Sequence, residues 1–290
     1  MALLKTMIDG REIEVERDRW ALDVAREMGI AIPTLCHHPA LEPYGACRLC
    51  VVEVTKGKGT WLATSCDLPI REGLSIRTDT PAVRESRKMS LELLWARAPQ
   101  ARRIADLARE WGVEKPRFPV RDDLGQCILC GLCVRACEQL VGVSALSFSG
   151  RGAARRVKVP FGEASESCIG CHACITLCPT GHIRAVDRGE VRHLETWRTE
   201  LEMVRCDLCG RGYMPVRQFR HLQAKLGTLP LERVCPGCQR RRAAQRWEAA
   251  HLPFDERGHE ATEDPRETRQ PRDSVIQSIT RNRCGPEEEK

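Results

Sequence analysis

The stretches CILCGLCVRAC at residues 127–137 and CIGCHACITLCP at residues 168–179 decide how this chain is read. Both repeat the spacing C-x2-C-x2-C-x3-C. Cys127, Cys130, Cys133 and Cys137 make up the first run, and Cys168, Cys171, Cys174 and Cys178 the second, which closes on Pro179. Three thiols within seven residues wrap one loop around one inorganic core, and the fourth, about one helical turn further on, points away from it. Each fourth cysteine is therefore expected to serve the neighbouring core. Cys127, Cys130, Cys133 and Cys178 are assigned to one 4Fe-4S cluster, and Cys137, Cys168, Cys171 and Cys174 to the other. Zinc fits this pattern less well, because zinc sites draw on paired C-x2-C knuckles rather than triplets. Glu138 stands where the second run has its proline, and the insert between the runs, Gly142 to Ser165, is expected to form a surface hairpin.

Outward from these runs, sixteen of the seventeen cysteines fall into four groups of four, leaving Cys284 as an incidental thiol. Pairs two residues apart in a chain without export signals read as metal ligands rather than disulfides, since reducing compartments keep thiols free. Cys36, Cys47, Cys50 and Cys66 keep a central C-x2-C and are assigned to a 2Fe-2S cluster, with Gly45 and Ala46 allowing the backbone to approach it closely. A site of two cysteines and two histidines would enlist His37 and His38, but four cysteines suffice, and the histidines are expected at the surface. Cys206, Cys209, Cys235 and Cys238 form two knuckles, the pattern of a zinc-ribbon-like module. A mononuclear iron is the rival there. Zinc is preferred because the intervening stretch reads as a basic amphipathic helix, with Val216, Phe219, Leu222 and Leu226 on one face, and because a closed zinc site stabilises a domain too small to fold unaided.

The length, 290 residues, suits about two domains, and 42% apolar residues exclude wholesale disorder. No apolar run approaches the roughly 18 residues of a membrane span and no signal-type core opens the chain, so a cytoplasmic protein without membrane insertion is expected. The formal charge of +6 counts cysteines as neutral. Sixteen ligating thiolates outweigh four metal cores of formally about +2 each, bringing the loaded chain to about −2. The basic balance is therefore weak support for nucleic-acid binding, which is kept as the alternative from another class. The clusters Arg151/Arg155/Arg156 and Arg240/Arg241/Arg242 read equally as solvated, as offsetting cluster charge or as docking an acidic partner.

Hydrophobic periodicity divides the chain. Residues 1–80 form the 2Fe-2S domain: two strands within residues 3–15 around Asp9-Gly10, a helix from Trp20 to Met28, and strands Val51 to Thr55 and Leu74 to Arg77. A helical connector spans 81–120, with helices Val83 to Trp95 and Ala101 to Trp111. The double 4Fe-4S domain spans 121–185, a charged linker 186–204, the zinc-ribbon-like module 205–247, and a disordered tail 248–290. The fold class is α+β.

Residues 1 to about 185 resemble the ferredoxin-like iron-sulfur subunit family shared by the N-terminal part of the complex I G subunit, the small diaphorase subunit of NAD-reducing hydrogenases and the N-terminal region of iron-only hydrogenases. The resemblance is carried by PTLCHHPALEPYGACRLCVVEV at residues 33–54 and by the two cysteine runs. It implies a β-grasp 2Fe-2S domain joined to a bacterial-type two-cluster ferredoxin domain, acting as an electron wire in a larger oxidoreductase. Two departures stand out. The family's additional cluster, held by one histidine and three cysteines, has no counterpart, because residues 67–126 contain neither residue type. The large catalytic domain of the longer members does not follow, which favours a separate small subunit. His172 and His182 occupy places where the family usually has small residues and are expected to be exposed, with tuning of a cluster as the alternative.

No dinucleotide fingerprint or nucleophile–base set is visible, so the chain is expected to be non-catalytic by itself, and a radical enzyme is disfavoured because every cluster has four ligands. The expected role is transfer of electrons between a flavin/NAD(P)H or ferredoxin module and a catalytic subunit. By resemblance the catalytic partner is first an NAD-linked hydrogenase, then a formate dehydrogenase or ring-reducing enzyme, within a hetero-oligomer.

Overall fold

A computed structural model describes residues 3–120, 125–228 and 231–250, the last three by backbone only. Strands β1 (Leu3–Ile8) and β2 (Arg11–Glu16) pair antiparallel around Asp9-Gly10, whose φ values of 48° and 79° are those of a tight hairpin turn. Leu4, Thr6 and Ile8 point inward while Leu3, Lys5 and Met7 face out. Helix α1 (Ala21–Glu27) buries Ala21, Leu22, Val24 and Ala25. Strands β3 (Val51–Lys56), β4 (Gly59–Thr64) and β5 (Ser75–Arg77) complete a sheet of order β2-β1-β5-β3-β4, in which only β1 and β5 run parallel. Its core gathers Ile8, Leu22, Val52, Val54, Ile70 and Ile76. Strand β4 has no counterpart in the sequence reading. It is an edge strand with Trp61 and Leu62 both exposed, so it carries no two-residue alternation.

Helix α2 (Pro81–Arg97) starts where Thr80 Oγ1 accepts the Val83 N–H at 3.3 Å, with Pro81 in the first turn where a missing N–H costs nothing. With α3 (Arg102–Glu110) it covers the loop bearing Cys36 and Cys47. Leu91, Ile104 and Ala108 share one core with Leu35, Leu41 and Leu49, and with Ile128 and Leu132 of the first cysteine run. That run enters α4 (Leu132–Arg135), which widens into a π-helical turn over Ala136–Val141 and stops at Gly142 in the left-handed conformation. Strands β6 (Ser147–Ser149) and β7 (Arg156–Lys158) form a hairpin within the insert, and α5 (Ala173–Thr176) follows the second run.

Residues 186–204, expected as a charged linker, are folded. Strands β8 (Val186–Arg188), β9 (Val191–Leu194) and β10 (Thr199–Arg205) form an antiparallel meander. Leu194, Trp197 and Leu201 are buried in one core with Cys133, Cys137 and Ile183. The inward positions of these strands include Arg192 and Thr199, polar residues buried beside Leu194 and Leu201, which blurs the two-residue period of apolar residues.

The boundary between two compact units falls inside β10. The first unit holds residues up to Glu202 together with Pro215–His221, and the second holds Met203–Met214 and the chain from Leu222. The second contains most of β11 (Gly212–Pro215), the end of α6 (Val216–Leu226) and α7 (Pro236–Ala250). Of the expected apolar face of α6, Phe219 is buried and Leu226 is exposed. Helix α7 carries the backbone three residues into the expected tail; the remainder of that tail, with Cys284, lies outside the described residues. No helix among the described residues is long and apolar enough to cross a membrane.

Candidate iron-sulfur and metal sites

Cys36 and Cys47 lie in the loop between α1 and β3, Cys50 directly precedes β3, and Cys66 follows β4; all four are buried. Cys36 and Cys47 Sγ are 3.4 Å apart, and each accepts a backbone N–H at 3.4 Å, from Cys47 and Leu35 respectively. The Cys36 thiol, donating to Cys47, holds the latter down to about 6 with help from the N–H groups of Leu49, Leu35 and Cys36, against the pull of burial. Its own pKa rises in exchange, through that hydrogen bond and then burial. Cys50 and Cys66 behave as a second pair of this kind, Cys50 lowered and Cys66 raised. Each pair thus shares a proton that a cation would displace. Gly45 sits beside them at φ +63°, where a Cβ would meet Asp67 Oδ2 at 2.7 Å.

His37 departs from its expected place at the surface. Its side chain is 5% exposed, with Nε2 3.7 Å from Asp23 Oδ1, and burial followed by the charge of Arg26 lowers its pKa, keeping the ring neutral at pH 7. The turn after α1 folds it inward. His38 is half-buried, its Nδ1 accepting the Ala40 N–H at 3.2 Å.

The two cysteine runs surround two cavities. Cys127, Cys130, Cys133 and Cys178 line one, and Cys137, Cys168, Cys171 and Cys174 line the other. The fourth cysteine of each run is therefore placed with the triplet of the other. The duplication extends to the backbone. Leu129 (φ 55°) and Gly170 (φ 70°) are left-handed two residues after the first cysteine, and Gly131 (φ 73°) and His172 (φ 65°) directly after the second. Burial pushes the Cys130 and Cys174 thiols up to about 12 and raises Cys133 as well, so these positions hold protons until a metal replaces them. Backbone groups already converge on sulfur, as the Ala145 N–H does on Cys137 Sγ at 3.2 Å.

Trp197 was not among the sequence candidates, yet it lines both cavities and is 4% exposed. Its indole Nε1 is buried with no well-formed hydrogen bond among the described residues, yet it faces Cys174 and opposes the rise that burial imposes on that thiol. The spacing of Leu194, Trp197 and Leu201 is that of a helix and gave no signal of the strand–turn–strand that holds them. His172 and His182 are half-buried rather than exposed; they line the second and first cavity respectively, and burial lowers the pKa of both. Arginines clamp the cysteine loops by their carbonyls. Arg192 Nη1 donates to the Gly170 carbonyl at 2.9 Å while its other nitrogens hold Asp187 at 2.7 and 2.8 Å. Arg217 Nη1 reaches the carbonyls of Ser165 at 3.1 Å and Glu166 at 2.9 Å.

In the second unit the sulfurs of Cys206, Cys209, Cys235 and Cys238 all lie within 4.8 Å of one another. The knuckles are tied together by the Asp207 N–H to the Arg233 carbonyl at 2.8 Å and the Cys235 N–H to Cys206 Sγ at 3.3 Å. Burial would raise Cys206, but the N–H groups of Cys235, Leu208 and Cys209 win and bring it to about 6. Cys209 accepts the Arg211 N–H, yet burial and the neighbouring thiols carry it up to about 12. Arg241 Nη2 donates to Cys238 Sγ at 3.0 Å. Four convergent thiols with no open position suit a tetrahedral metal ion.

Residues 2–81 match the 2Fe-2S iron-sulfur cluster binding domain family, and residues 126–182 match the 4Fe-4S dicluster domain family. The chain thus carries a 2Fe-2S domain and a 4Fe-4S dicluster domain, matching the ferredoxin-like iron-sulfur subunits that it resembles. Among its relatives is the G 2 subunit of NADH-quinone oxidoreductase from Rhizobium meliloti, 30% identical over 236 residues, covering 72% of this chain and 27% of the relative. The alpha subunit of NADPH-Fe(3+) oxidoreductase from Geobacter sulfurreducens is 29% identical over 202 residues, covering 62% and 24%. A solved chain of an NAD+-reducing [NiFe]-hydrogenase in the H2-reduced state is 30% identical, with 54% of this chain and 75% of that chain covered and a TM-score of 0.47. The chain spans about a quarter of the length of these curated relatives.

Proposed function

We propose that this chain is an electron-transfer subunit, passing electrons one at a time between a flavin/NAD(P)H or ferredoxin module and a catalytic subunit of an NAD-linked hydrogenase. The observation that carries the reading is the placement of three four-thiol sites in one unit, two of them separated by a shared wall at Trp197. Cys36, Cys47, Cys50 and Cys66 would hold a 2Fe-2S cluster, Cys127, Cys130, Cys133 and Cys178 one 4Fe-4S cluster, and Cys137, Cys168, Cys171 and Cys174 another. When bound, these clusters supply one-electron redox chemistry. The chain's own residues supply the thiols, aim N–H groups at sulfur, and exclude water with Trp197, Ile183 and Leu194. Cys206, Cys209, Cys235 and Cys238 would hold zinc, closing a site that stabilises the second unit; iron there would add a redox centre.

Anaerobic purification from the native host tests both levels. Metal analysis should return about ten irons and about one zinc per chain. Cys133→Ser should diminish one 4Fe-4S signal and leave the 2Fe-2S signal in place; loss of all cluster signals at unchanged folding overturns the ligand assignment. Co-purification with a flavin-binding NAD subunit and a nickel-iron pair supports the hydrogenase. A molybdenum or tungsten subunit moves the chain to formate or ring-reducing chemistry, and recovery alone removes the subunit reading.

A further inference from the structure

Two buried arginines grip the Cys36–Cys50 loop, and neither forms an ion pair with a carboxylate among the described residues, although the charges of Asp79 and Asp9 reach Arg87 from further off. Arg87, on α2, is 3% exposed and donates from Nε to the Leu49 carbonyl at 3.0 Å and from Nη2 to the Val51 carbonyl at 2.8 Å. Its guanidinium carbon lies 5.3 Å from the centre of the Trp111 ring. Arg135, on α4, is 7% exposed and donates from Nη2 to the carbonyl of Cys36 itself at 2.6 Å and from Nη1 to the Glu42 carbonyl at 2.5 Å. It stacks 5.1 Å from the Tyr44 ring, and its Nε has no hydrogen-bond partner among the described residues.

Burying a cation is costly unless a counter-charge is near, and carbonyl dipoles and ring faces offset only part of that cost. The clamp on the second cysteine run solves the problem differently, because Arg192 is neutralised by Asp187. At the Cys36–Cys50 loop no carboxylate is paired with either arginine, and the site itself supplies an anion: the charge of Cys50 favours the cationic form of Arg87 together with those of Asp79 and Asp9. Four thiolates around an oxidised 2Fe-2S core leave a formal charge of about −2, which one added electron makes more negative.

We infer that Arg87 and Arg135 are the counter-charges of the 2Fe-2S site and hold its couple at a more positive potential than its four thiolates alone would give. The cations favour the reduced state because it carries the extra electron. Asp67, whose charge raises Cys50 and Cys66, faces the same site and pulls the other way. The inference rests on the 2Fe-2S assignment above and fails separately from it.

The test is an anaerobic redox titration of the full loaded chain with dithionite as reductant, following the 2Fe-2S signal by electron paramagnetic resonance. Arg87→Gln and Arg135→Gln should each disfavour the reduced form about tenfold or more, a fall of 59 mV for a one-electron couple. Arg135→Lys, which keeps the charge, and Tyr44→Leu, which loosens the same seam without removing charge, should stay within about threefold of the native chain. Unchanged midpoints in the glutamine variants overturn the inference, as does an equal fall in Arg135→Lys or Tyr44→Leu. If a glutamine variant does not load the cluster, Arg135→Lys decides: a tenfold fall despite the retained charge overturns it, and a midpoint within threefold supports it. Absence of the signal from the native chain would instead defeat the cluster assignment.

Discussion

Replacing Gly170 by alanine separates two costs that are usually confounded. Gly170 lies between Cys168 and Cys171 at φ +70°, and a Cβ there would meet Leu201 Cδ1 at 2.5 Å and Pro215 Cγ at 2.9 Å. The left-handed backbone penalises any side chain by about 1–2 kcal/mol. Forcing packed neighbours apart adds about 1–3 kcal/mol. Gly181, at φ +65° with nothing within 4 Å of its Cβ position, bears only the first cost. Leu129 occupies the position equivalent to Gly170 in the first run and carries a side chain at φ 55°, so the backbone tolerates a Cβ where neighbours leave room. Anaerobic urea unfolding of Gly170→Ala and Gly181→Ala, followed by tryptophan fluorescence, should therefore differ by about 1–3 kcal/mol in apparent stability. Iron should also be lost earlier from the second 4Fe-4S site in Gly170→Ala. Equal destabilisation of the two variants, within about 0.5 kcal/mol, would refute the packing argument.

Trp197→Ala should cost about 3–5 kcal/mol and speed the bleaching of both 4Fe-4S signals in air, whereas Trp197→Phe, measured the same way, should cost less than about 1.5 kcal/mol. His172→Gly removes a side chain from the left-handed region and should raise the urea midpoint by the equivalent of about 0.5–1 kcal/mol; a lower midpoint would mean that the imidazole holds the loop. Zinc uptake at the second unit displaces protons, because Cys209 stays protonated until about 12 while Cys206 ionises near 6. Apparent zinc affinity, read by competition with a chromophoric chelator, should rise about tenfold or more from pH 7 to 8 and fall away below pH 6, and a flat profile would remove these thiols as ligands.

The cysteine runs were legible because their chemistry is local. A triplet and its outlying fourth member are set by loop and helix geometry within eleven residues, and the lining of both cavities follows that geometry. The Asp9-Gly10 hairpin and α1 were legible for the same reason. What escaped depends on partners distant in sequence. Arg135 reaches the Cys36 carbonyl 99 residues away, and nothing near residue 135 announces that partner. His37 adjoins a cysteine, but its burial depends on how the loop folds against α1. The strands after Val186 were hidden because their inward face includes the buried polar residues Arg192 and Thr199, and Trp197 was hidden with them.

The two runs place their glycines differently: Gly131 in one has its counterpart in His172, and Gly170 in the other has its counterpart in Leu129. Each glycine is dictated from outside its own run. A Cβ on Gly131 would stand 3.0 Å from Tyr44 Cε1, and one on Gly170 would strike Leu201. The halves of this duplication are therefore not exchangeable, and the pair has a head and a tail. At the head, the missing methyl of Gly131 lets the ring of Tyr44, three residues before Cys47, settle directly onto the neighbouring cysteine loop. Alanine at residue 131 would have to push that ring away, so a single absent carbon lets the two cysteine loops pack against each other through Tyr44.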